Sequence, residues 1–163
     1  MVGTLAGLPR PERPGLRWSP SAQWHVTLRF FGDVDVDEGV LAGQQVAEAA
    51  EMGRPVVAEL GPSVDAFGRK ILHVPVHGLE ALAETLEQST TEVKATPSAS
   101  PFEGHITLAR NRSNAPLDDL IGTPVVGSWK VEEVALVASV STGEPGVPNR
   151  HEVVATFPLG APA

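Results

Sequence analysis

A chain of 163 residues with 42% hydrophobic content is long enough for one domain with its own core, and its formal net charge of -8 argues against a sequence-independent grip along a nucleic-acid backbone. The chain has no cysteine, which excludes disulfides, thiolate nucleophiles and cysteine-ligated zinc. No apolar run reaches membrane-spanning length, and the opening residues lack a charged region ahead of an apolar stretch, so a soluble, cytoplasmic protein without membrane contact is expected.

Residues 1 to 22 read as a lead-in: Met1 to Leu8 are weakly apolar and Pro9 to Pro14 break regular structure. Arg17-Trp18-Ser19-Pro20 then approach a predicted strand from Gln23 to Gly32. Asp35 with Glu38 forms a capping box for a helix through about Met52 that should bury Val40, Leu41 and Ala47 and close at Gly53 and Pro55. Strands over 55 to 60 and 70 to 76 flank a turn region from Gly61 to Gly68. Leu79, Leu82, Ala83, Leu86 and Val93 recur at helical spacing, and that helix ends before Pro97. A loop from Thr96 to Pro101 leads to a second strand, Phe102 to Arg110. A polar loop from Asn111 to Ala115, a short helix near Leu117 to Ile121, and strands over 129 to 140 and 152 to 157 complete the chain, with a Gly and Pro loop from Gly143 to Pro148 between the last two.

The first strand carries His25-Val26-Thr27-Leu28, and the second carries His105-Ile106-Thr107-Leu108. On a strand, residues two apart share a face, so His25 projects with Thr27 and His105 with Thr107. Val26, Leu28 and Phe30 in one copy, and Ile106 and Leu108 in the other, should point into a core. An imidazole beside a hydroxyl supplies one group that titrates near neutral pH and one uncharged donor. Two such pairs facing each other would make a symmetric acid and base site. Taken as a repeat, a single domain over 1 to 163 holds two pseudo-repeats, about 23 to 62 and 69 to 159, each with one motif. The first lacks the strand and most of the helix that precede the motif in the second.

Two His-x-Thr-x motifs set in strands, as WHVTLRFFGDV and FEGHITLAR, resemble the two-histidine phosphoesterase superfamily, and most closely its RNA 2',3'-cyclic phosphodiesterase or 2'-5' RNA ligase branch. The likeness runs from Arg17 to Leu159 and includes the tail VEEVALVASVSTGEPGVPNRHEVVATFPL. The resemblance implies a bilobal α+β fold, with two antiparallel sheets around a central cleft, pseudo-twofold symmetry and helices packed outside. It implies metal-independent hydrolysis with no cofactor, acting on RNA 3' ends or nucleotides that bear a 2',3'-cyclic phosphate. Family members are monomers and usually begin with a strand and helix ahead of the first motif. This chain starts inside that region, which leaves open an upstream start or a dimer that covers the exposed sheet edge.

On that resemblance, His25 and His105 are the catalytic acid and base, in an order the residues leave open, and Thr27 and Thr107 donate to the non-bridging phosphate oxygens. The family's further Arg, five residues beyond the second His, falls on Arg110. Strict alternation puts Arg110 opposite His105, so the role needs a bend or bulge near Ala109. Arg29 and Phe102 are further candidates for substrate contact. A single His-x-Thr on a strand is more often a core or edge residue, and it is the duplication that favours catalysis. No third His or carboxylate sits at ligand spacing beside either histidine, so no metal is expected. His73, His77 and His151, without a Thr partner, read as surface or sheet residues; Trp18, Trp24 and Phe102 could stack on a base, although aromatics beside a strand are more often core. Gly104 reads either as room for a close approach of ligand or backbone, or as a strand bulge. Three other readings stay open: a non-catalytic binder of phosphorylated nucleotide ends, and related phosphodiesterases for ADP-ribose cyclic phosphate or 2'-5' oligoadenylate.

Overall fold

The computed structural model describes residues 1–94, 100–113, 115–141, 143 and 149–160. Most of the expected loop from Gly143 to Pro148 and most of the one from Thr96 to Pro101 lie outside the described residues. The architecture is α+β, with three helices, α1 (Val2–Ala6), α2 (Val36–Met52) and α3 (Glu80–Ser89), among the described residues. No helix there is long and apolar enough to cross a membrane. The strands are β1 (Leu16–Trp18), β2 (Val56–Leu60), β3 (Asp65–Phe67), β4 (Ile71–His77), β5 (His105–Asn111), β6 (Gly127–Val131), β7 (Glu133–Val140) and β8 (Arg150–Pro158).

The chain divides into two compact units. The first comprises Met1–Leu28, Val57–Ala81 and Ser100–Lys130. Its sheet has the order β1-β5-β4-β2-β6, with β3 added against β4. The pairings of β5 with β1, of β4 with β5 and β2, and of β3 with β4 are antiparallel. Alternation explains the core: Leu72, Val74 and Val76 of β4 and Ile106 and Leu108 of β5 are buried on one side. Each such side chain contributes about 1.5–3 kcal/mol when removed from water.

The second unit comprises Arg29–Val56, Leu82–Ala99 and Val131–Ala163. It pairs β7 with β8 as a two-stranded antiparallel sheet, and α2 packs on both strands. Asp35 caps α2 as expected, its carboxylate accepting from the Glu38 N–H at 2.9 Å. The Glu38 carboxylate turns to Lys94, accepting from its backbone N–H at 2.9 Å.

Several expectations change. The buried face of α2 is Ala42, Val46, Ala49 and Ala50, while Val40 is 57% exposed. Small residues let a helix approach the sheet closely: a Cβ added at Gly43 would lie 3.7 Å from Leu136. The turn region from Gly61 to Gly68 holds an extra strand, β3, and the lead-in holds α1 and β1, both too short for periodicity to reveal. The expected helix near Leu117 to Ile121 is a pair of hydrogen-bonded turns, with Leu120 and Ile121 N–H both donating to the Leu117 carbonyl. The single strand expected over 129 to 140 is split at Glu132 between two sheets, because Glu132 and Glu133 are both exposed and interrupt the alternation.

Candidate active site

The second motif sits in β5, which is hydrogen-bonded on both sides. The register sets His73 of β4 opposite Thr107, and Pro75 opposite His105. Leu72 pairs with Ala109 and Ile71 with Arg110, so Leu108 is an extra residue on β5 where the register shifts. That is a β-bulge, and it turns Ala109 inward beside Leu108. Cross-strand partners share a face, and Ile71 and His73 are two apart. Arg110 therefore lies on the same side of the sheet as Thr107 and His105. On the other flank of β5, Arg17 of β1 stands opposite Arg110. Two guanidinium groups on one face favour an anion there. In sequence Arg17 marks only the approach to the first motif; the short strand β1 is what gives it this neighbour.

The first motif departs from expectation. A 3-10 turn, Ser21–Gln23, precedes it, and the segment that follows is not part of any strand among the described residues. The alternation nevertheless survives without a ladder. Trp24 is buried, His25 and Thr27 are exposed, and Val26 and Leu28 are half-buried. Trp24 takes the core role expected of it, with the Arg10 guanidinium 4.7 Å from its ring. Phe30 does not follow Val26 and Leu28 inward; it is 68% exposed.

His25 and His105 share one local device. Each Nδ1 lies 2.7 Å from the backbone carbonyl two residues earlier, Gln23 for His25 and Glu103 for His105. A carbonyl only accepts, so Nδ1 carries the proton and Nε2 is the basic nitrogen of the neutral ring. A neutral ring held this way is a base at Nε2, and a protonated ring is an acid at the same atom.

Around His105 the packing is tight. Gly104 is required because the β4 backbone comes close: an added Cβ would lie 2.3 Å from the Val76 carbonyl, which is also why the Val76 N–H can reach the Gly104 carbonyl at 2.8 Å. A pocket of about 250 Å³ is lined by His73, Pro75, Val76, His77, Glu80, Phe102, Glu103 and Gly104. Phe102 thus borders the His105 neighbourhood although it precedes β5.

His73 is a residue of strand β4, in keeping with the sheet part of its sequence reading, but it is not at the surface. It is only 3% exposed and stacks on Phe67 with ring centroids 3.9 Å apart. Its Nδ1 is buried without a hydrogen bond of normal geometry, which costs about 1–3 kcal/mol. Burial first, and then neighbouring His105, push its pKa below the ordinary histidine value; the carboxylates of Asp65 and Glu103 and the Ile71 carbonyl oppose this only in part.

Arg29 belongs to the second unit, where its guanidinium donates to Glu87 at 2.9 Å. His25, Thr27, His105, Thr107, Arg110 and Phe102 all belong to the first. Among the described residues there is no group of three or more metal-ligating side chains.

No family model matches the chain. An RNA 2',3'-cyclic phosphodiesterase of Aeropyrum pernix is 28% identical over 130 residues, covering 73% of this chain and 74% of that protein. The crystal structure of TT0787 from Thermus thermophilus superposes with a TM-score of 0.76 at 27% identity, covering 91% of this chain and 85% of that one. Escherichia coli LigT, crystallised with 3'-AMP, gives 0.73 at 22% identity over 98% and 92% of the two chains, a likeness of fold. The shared fold and the relative found by sequence agree with what the duplicated His-x-Thr-x pattern suggested, a likeness to the two-histidine phosphoesterase superfamily.

Proposed function

We propose that this protein is a metal-independent cyclic phosphodiesterase that opens 2',3'-cyclic phosphate ends of RNA or nucleotides and leaves a 2'-phosphate. The observation that carries the reading is the matched tether of His25 and His105, which selects the same tautomer in both rings, with Nε2 as the basic atom. In the proposed reaction one neutral imidazole takes a proton from water as its oxygen bonds to phosphorus. The bond from phosphorus to the 3' oxygen breaks, and the other, protonated imidazole gives that oxygen its proton. The reaction consumes one water, and the two rings end with their protonation states exchanged. Thr27 and Thr107 donate to the non-bridging oxygens, and Arg110 offsets their growing charge. With the 5'-hydroxyl of a second RNA in place of water, the same steps form a 2'-5' phosphodiester and leave the 3'-hydroxyl free, and that transfer is reversible.

The test is turnover of a 2',3'-cyclic mononucleotide in EDTA, with the product identified and the rate followed against pH. The expected product is the 2'-monophosphate, unaffected by EDTA, with a bell-shaped profile reporting two groups. Binding of a 2'-nucleotide without any turnover of the cyclic form would overturn the proposal in favour of a non-catalytic binder. Faster turnover of ADP-ribose cyclic phosphate or 2'-5' oligoadenylate would reassign the substrate.

A further inference from the structure

The His105 ring is held from more than its backbone tether. Phe67 of β3 meets it edge-on, with centroids 4.9 Å apart and planes at 85°. His73 of β4 meets it edge-on as well, at 5.4 Å and 71°. Phe67 and His73 are themselves nearly parallel, at 15°, so together they form one aromatic wall. A single hydrogen bond at Nδ1 still lets an imidazole rock about that contact; a wall against its edge removes the remaining freedom. His73 holds its place through the ladder, opposite Thr107, and is buried. The wall therefore moves only if the sheet does.

We propose that His73 is a positioning residue for His105: with Phe67 it fixes the plane of the His105 imidazole, and it does so as an uncharged ring. This rests on the catalytic reading of His105 above. The groups facing His73 are His105 at the start of β5, Glu103 two residues before it, Asp65 opposite it on β3, and the Ile71 carbonyl on its own strand. Once His73 takes up a proton in acid, a cation stands against His105, and the site loses its resting arrangement.

The experiment compares His73→Phe, His73→Leu and His73→Ala by kcat and KM across pH on a 2',3'-cyclic mononucleotide, with thermal unfolding measured alongside and His105→Ala as reference. Removal of the flat ring in His73→Leu or His73→Ala should lower kcat about 10- to 100-fold. KM should change by less than about threefold. His73→Phe keeps the flat ring and should recover kcat to within about threefold near neutral pH. It should also lose activity less steeply in acid than the natural protein, a readout that packing alone would not move. If His73→Ala fails to fold, the Leu and Phe pair carries the test. Natural kcat in the Leu variant overturns the proposal, and so does a Phe variant as slow as the Leu variant, which would show that a ring nitrogen is needed. Activity surviving in His105→Ala would sink the catalytic reading itself; an inactive His105→Ala beside fully active His73 variants would sink only this inference.

Discussion

The two copies of the motif have the same residue pattern and different settings. His105 lies in a strand paired on both flanks and against an aromatic wall, whereas His25 follows a 3-10 turn in a segment outside any strand. Yet both make the same 2.7 Å contact with the carbonyl two residues back, and both present His and Thr on one side. The tether and the facing are local properties of an extended backbone. The ladder around them is not, and the copies can share the first without sharing the second.

The sharpest way to break this comparison is to remove each imidazole. His25→Ala and His105→Ala should each lower kcat/KM by about 10²- to 10⁴-fold while thermal unfolding stays cooperative. A loss confined to one variant would mean that the copies are alike in form only. Next in size, Arg110→Ala should cost about 10- to 100-fold, and Thr107→Val and Thr27→Val similar amounts. A benign Arg110→Ala would mean that the bulge at Leu108 aims the side chain without using it.

Gly104→Ala sharpens the structural half of the contrast, since the added methyl meets the backbone carbonyl of Val76 and not a movable side chain. It should destabilise the protein by about 1–3 kcal/mol in denaturant unfolding. An equally large effect from Gly39→Ala, where an added Cβ meets nothing within 4 Å, would refute the close-approach argument.

The smallest effect is on the pH dependence of stability. Folding lowers the pKa of His73, so in acid the unfolded chain binds the proton more readily than the folded one. The contribution is complete above the unfolded value of about 6.5 and is lost as pH falls through the lower folded value. The drop in Tm between neutral and mildly acidic buffer should therefore be smaller in His73→Phe than in the natural protein. An identical drop would remove His73 from the titration.

Much of the fold is legible in the sequence, and the misses have physical causes. Asp35 is readable as a cap because capping depends on a few adjacent residues. The buried face of α2 is not, because bulky Val40 looks like core whereas four residues led by Ala42 and Val46 form it. Arg110 reaches the His105 face only on condition of a bulge, and β5 has one. His73 carries no mark in the sequence, because nothing in ILHVPVH identifies a histidine whose neighbours come from β3 and β5.

By itself the amino-acid order determined the extended alternation at both motifs, the side on which each His and Thr stand, and the start of α2, since these follow from backbone geometry within a few residues. Tertiary structure decided which extended segments found a ladder, where Leu108 bulged to carry Arg110 round, that Arg17 faces Arg110, and that His73 is walled in with Phe67 against His105. Pairing between strands is settled by distant segments competing for the same edge, and no local pattern encodes the outcome of that competition.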